Sequence, residues 1–136
     1  MFSGIQNFLQ MSETALTIRA LRQELLATNI ANSETPNYKA KDIDFYKTMK
    51  SLIKNRKKNL NFLKLTKKSN KNFYRNLIPY IKIHTISKNR NQSNNNVNTV
   101  NMNKERTKFA DNSIQYQVLL TILNSQIKDM YTVTQG

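Results

Sequence analysis

Two long segments carry apolar residues at helical spacing, one at each end of the chain. In the first, Met11, Ala15, Ile18, Leu21 and Leu25 follow one another at steps of 4, 3, 3 and 4, which keeps them on one face of an α-helix. Leu16, Leu26 and Ile30 widen the stripe, while Glu13, Arg19, Arg22 and Glu24 occupy other faces. Ser12 offers a cap for a shorter helix, but Ile5, Phe8 and Leu9 carry the pattern further back, so a helix is predicted over about residues 5 to 32. Asn32 suits the left-handed conformation of a helix end, and Pro36 pushes Thr35 toward extended backbone.

In the second segment Met102, Phe109, Tyr116, Leu123 and Met130 recur every seven residues, with Leu120, Ile127 and Thr134 as the other half of the repeat. This is a coiled-coil seam. Arg106 and Ser113 hold that second position in the first two heptads, so the seam should be tightest from Tyr116 onward. Asn101 or Asn103 caps the start, and the helix is predicted to run to about Thr134. Two helices of similar length, roughly 40 to 50 Å each, are expected to pair as an antiparallel coiled-coil-like hairpin, giving a mainly α fold. Such a pair leaves apolar surface on its outer sides, which predicts packing among further helices, homo- or hetero-oligomeric. A monomeric hairpin with ordinary core stripes fits the periodicity equally well.

Residues 46 to 100 show no sustained period and are expected to be irregular and partly disordered. Lys54 to Lys71 interleaves charge with Leu60, Phe62, Leu63 and Leu65, and Asn89 to Asn98 is close to low complexity. Within Tyr80 to Ile86, the alternation of Ile81, Ile83 and Thr85 with Lys82 and His84 predicts a short edge strand or β-hairpin arm. The chain thus reads as an N-terminal helix and turn (1–45), a basic Asn- and Lys-rich middle (46–100) and a C-terminal helix (101–136), the two ends forming one structural domain.

The charge follows this division. Of the net +14, residues 45 to 103 supply all, with fourteen Lys or Arg and no Asp or Glu, while the two ends balance. Aromatic Phe62, Phe73, Tyr74 and Tyr80 among these cations make a basic RNA-binding helical module an alternative reading. Lys, Asn and Ile also make up 48 of the 136 residues, as AT-biased coding would give regardless of function, so no specific nucleic acid is expected. With no Cys and one histidine, His84, the usual zinc constellations are out of reach, and a triad around His84 has no motif behind it. No catalytic residue, cofactor or metal is expected. No stretch reaches the 18 consecutive apolar residues of a membrane span, and no cationic n-region leads an apolar run, so export, if any, uses no cleaved signal peptide.

The most specific local signal follows the first helix: Asn29-Ile30-Ala31-Asn32, then Thr35-Pro36 and Tyr38. This run resembles the signature of the bacterial flagellar rod-and-hook axial proteins. Arg22-Gln23-Glu24, Lys41 to Phe45, Asn98 to Arg106, Phe109 to Asn112 and Tyr116-Gln117 are similar to the proximal rod members of that family. The resemblance implies a structural subunit of the basal-body rod, a hollow drive shaft in the periplasm near the inner-membrane ring. Its implied partners are other rod subunits, the ring and the export apparatus; another rod subunit is the nearest alternative. On this reading Ile18, Leu21, Leu25, Phe109, Tyr116, Leu120, Leu123, Ile127 and Met130 form the assembly seam, each with plain intramolecular core as the alternative. Asn29 to Asn32 with Thr35, Pro36 and Tyr38 form a turn that redirects the chain, or a simple helix stop. Ile5, Phe8 and Leu9 are candidates for export or docking. Two positions depart from the family pattern: Val97 stands where a Gly is usual, and Asn37 replaces a frequent Gly. Val resists positive φ, so the loop around Val97 is expected to be remodelled.

Overall fold

A computed structural model describes residues 2–58, 81–86 and 97–136. Helix α1 spans Phe2–Ala31. Its last turn is closed by the Asn32 N–H donating to the Thr28 carbonyl at 3.1 Å, backed by Asn32 Nδ2 on the same oxygen at 2.9 Å. The Thr35 N–H and hydroxyl then donate to Asn32, and the chain reverses through Asn37 at φ 62°. That left-handed value is one Asn tolerates. Among the described residues no other non-glycine residue has positive φ, so Val97 does not adopt the left-handed conformation a Gly would permit there.

Strand β1 (Lys41–Asp42) pairs antiparallel with β2 (His84–Thr85), Lys41 opposite Thr85 and Asp42 opposite His84. The strand predicted within residues 80 to 86 therefore finds its partner beside the α1 turn rather than in a local hairpin, and His84 is exposed on it.

Helix α2 (Phe45–Lys58) is the element the periodicity reading missed, since those residues were expected to be irregular. Asp44 caps it, its Oδ1 accepting from the Lys47 N–H at 3.0 Å. Phe45, Met49 and Leu52 recur at helical spacing and face inward, but Lys47, Lys50 and Lys54 fill the intervening positions and hide the stripe in a linear reading. The core is small: Ile18, Ile43, Leu52 and Ile81, with Leu21, Leu25, Phe45 and Met49 packed against it.

Helix α3 (Met102–Gln135) starts at Asn101, whose side chain accepts from the Lys104 N–H at 3.2 Å. It runs antiparallel along α1: Asn29 meets Glu105 near one end, Arg19 meets Asn112 further on, and Ile5 and Phe8 lie beside Met130 at the other.

Candidate assembly site: a buried polar latch

Asn29 is fully buried in the last turn of α1. Its Nδ2 donates to the Lys41 carbonyl at 2.7 Å and to Glu105 Oε2 at 2.8 Å. Its Oδ1 accepts from the Lys41 N–H at 2.9 Å and the Tyr38 hydroxyl at 3.2 Å. Both donors and both acceptor positions are used, so the amide ties α1, β1 and α3 at one point in one orientation.

Four charges surround it. Arg22 grips Asp42 in a fork, Nε at 2.8 Å and Nη2 at 3.1 Å. Lys108 Nζ sits 3.2 Å from Asp42 Oδ2 and 3.0 Å from Glu105 Oε1. Asp42 and Glu105 are both buried, so each needs the compensation it receives here. Burial alone would raise the Asp42 carboxyl. The Arg22 hydrogen bond and charge, the Ile43 N–H at 2.7 Å and Lys108 together hold it below the usual carboxylate value. The hydrogen bond to Asp42 in turn raises the Arg22 pKa. Burial, then the Glu105 charge, pushes the Tyr38 phenol up, which keeps it a donor to Asn29.

A second clasp lies one heptad along α3. Buried Asn112 donates through Nδ2 to the Arg19 carbonyl at 2.9 Å and to Gln23 Oε1 at 2.7 Å, and accepts from Arg19 Nη1 at 3.3 Å. The Arg19 guanidinium lies 3.8 Å over the Phe45 ring. Burial, and then Arg22, lowers its pKa. Buried polar side chains of this kind fix the register of paired helices, which apolar contacts specify weakly.

The loop before α3 closes over the α1 turn. Asn98 Nδ2 lies 2.9, 2.9 and 2.8 Å from the carbonyls of Asn32, Ser33 and Thr35. The Thr99 N–H donates to the Tyr38 carbonyl at 3.1 Å, and its hydroxyl accepts from the Ala40 N–H at 2.9 Å. In this turn Ile30 is half-buried, whereas Ala31, Thr35 and Pro36 are exposed.

Phe109, Tyr116, Leu123, Ile127 and Met130 are half-buried, while Leu120 is 38% exposed. In the first two heptads the buried positions are Glu105 and Asn112, whereas Arg106, which the heptad placed in the seam, is exposed and Ser113 is half-buried. A reading that counts apolar positions cannot see a seam whose first two layers are polar and internally satisfied. Ile18, Leu21 and Leu25 pack into the core shared with α2. Ile5 and Phe8, each 39% exposed, line an open groove of about 610 Å³ with Met130 and Val133, and neighbouring Leu9 is half-buried. Phe62, Phe73, Tyr74, Tyr80 and the Asn94 to Asn96 run lie outside the described residues.

The structure is thus a long two-helix subunit clasped at the Asn29 to Tyr38 turn, the segment that resembles the flagellar axial class. The family described as Flagella basal body rod protein matches residues 9–39, the length of α1 and turn that carries Asn29 and Tyr38. The chain is 38% identical to the flagellar basal body rod protein FlgB of Salmonella typhimurium, over 100% of this chain and 99% of the relative. The same identity and coverage hold for FlgB of Escherichia coli K12. FlgB of Buchnera aphidicola is 37% identical over 100% of both chains. The chain belongs to the FlgB family of flagellar basal body rod proteins, whose members are structural subunits and not enzymes.

Proposed function

We propose that this protein is a proximal subunit of the rod, packing its terminal helices lengthwise against neighbouring subunits to form a hollow drive shaft. The proposed place is the periplasm near the inner-membrane ring, reached through the export apparatus. The observation that carries this reading is the row Ile114, Val118 and Ile122, which are 58%, 47% and 47% exposed. They recur every four residues on the side of α3 away from buried Glu105 and Asn112. An apolar row on that side calls for a neighbour.

In this scheme the half-buried seam residues Phe109, Tyr116, Leu123, Ile127 and Met130 hold the hairpin and lend their rims to neighbours, with Leu120 at the edge. Ile18, Leu21 and Leu25 stiffen the root through the α2 core. The Asn29 latch and the Thr35-Pro36-Tyr38 turn set where the chain leaves the inner layer. Ile5, Phe8 and Leu9 serve export or docking through the open groove. No helix among the described residues is long and apolar enough to cross a membrane.

The test is co-purification with detergent-extracted basal bodies. Wild-type protein is expected in them. Val118→Asp, which leaves the hairpin's own contacts intact, is expected to be missing while retaining its helicity by circular dichroism. Normal incorporation of that variant would reject the proposed packing.

A further inference from the structure

Two faces of the described surface carry charge of opposite sign. On α1, Glu13 and Glu24 are exposed and lie three turns apart, on one stripe with Ala20, Ala27 and Ala31. That stripe points away from Ile18, Leu21 and Leu25, which face the α2 core, and from Arg19, Gln23 and Asn29, which face α3. Among the described residues neither glutamate has an ion-pair partner.

On α2, exposed Lys47, Lys50 and Lys54 share the side opposite Phe45, Met49 and Leu52. Next to them a polar cleft of about 320 Å³ is lined by Asp44, Lys47, Thr48, Ser51, Lys82 and His84. Lys47 Nζ lies 3.2 Å from Asp44 in a solvated pair with its side chain 84% exposed, an arrangement that holds a lysine weakly. Two ammonium groups, an imidazole, two hydroxyls and the Asp44 carboxylate thus border this space.

We infer that this cleft and lysine row receive the Glu13 and Glu24 stripe of a second copy of the chain, joining copies head to tail. The inference rests on the rod-subunit reading and adds which surfaces meet. The two faces differ in sign and lie on different flanks, so the contact is heterologous and repeats from copy to copy, as a ring or helical shaft requires. Exposed Ala27 and Ala31 continue the stripe beyond Glu24 and let the second copy approach closely there. Asp44, the one acidic group among the described residues lining the cleft, is paired with Lys47, which leaves Lys82 to meet an incoming carboxylate.

The test reverses each face in the full chain: E13K/E24K, K47E/K82E, and all four together, with helicity checked by circular dichroism. By sedimentation at low salt, each double variant is expected to self-associate about tenfold more weakly or worse, and the quadruple variant to recover. A mixture of the two double variants should also associate, since each then offers the other a complementary face. Unchanged association of the double variants, or no recovery in the quadruple, overturns the inference. So does K47E/K82E losing retention on phosphatidylglycerol vesicles while self-associating normally. In cells, E13K/E24K recovered in basal bodies at wild-type amounts defeats this interface and leaves the rod reading standing. Absence of the wild-type protein from basal bodies defeats the rod reading itself.

Discussion

Replacing Asn29 with alanine removes four hydrogen bonds from one buried point. The Lys41 backbone groups lie where the chain has already turned, and each loses a partner at a net cost of about 1 kcal/mol. Glu105 is 2% exposed and keeps Lys108 but loses its amide donor, adding roughly 1.5 to 3 kcal/mol for a charged acceptor. The sum is about 3.5 to 5 kcal/mol, a large share of the stability of any domain this size. Urea unfolding followed by helical circular dichroism measures it, with Asn32→Ala as a neighbouring control expected to cost about 1 kcal/mol. Asn29→Asp separates shape from charge: it can still accept from Lys41 and Tyr38, yet it sets a second carboxylate against Glu105 and should cost at least as much as alanine. If Asn29→Ala falls within about 0.5 kcal/mol of wild type, the latch does not hold the helices together and the reasoning is wrong.

Acid should loosen the same structure. Because Asp42 titrates below its unfolded value when folded, its contribution is present above roughly pH 4 and is lost as pH falls through the folded value. A midpoint that drops below pH 4 in wild type but not in Asp42→Asn would agree, and parallel profiles would not. At the positive-φ position, Asn37→Ala should cost about 1 kcal/mol while Asn37→Gly stays within about 0.5 kcal/mol; equal losses from both would show that conformation is not what the site demands. Removing residues 1 to 10 should abolish secretion if Ile5, Phe8 and Leu9 act in export, and unchanged secretion would refute that role.

The long helices were legible because apolar residues mark their faces directly: the seven-residue recurrence from Met102 to Met130 needs no partner to be seen. The turn was legible through Pro36 and Asn37, each limited by its own backbone preferences, whereas Asn32, read as the left-handed residue of the helix end, has no positive φ and closes the helix through its side chain instead. Glu105 and Asn112 were not, since charged and amide residues read as surface until their partners Asn29, Lys108, Arg19 and Gln23 are brought alongside. Helix α2 was masked by Lys47, Lys50 and Lys54, whose solvated heads break the apolar run without breaking the helix. The partner of β2 is a strand more than forty positions earlier, a pairing that local alternation cannot announce.

The latch also dictates when the protein becomes itself. Its clasping pairs are 93 positions apart for Arg19 and Asn112 and 76 for Asn29 and Glu105, so it cannot fasten until the last third of the chain meets the first. Loop closure over such distances is slow. On the proposed export route the strand would stay pliant in transit and acquire its stiffness on arrival, once both ends have passed.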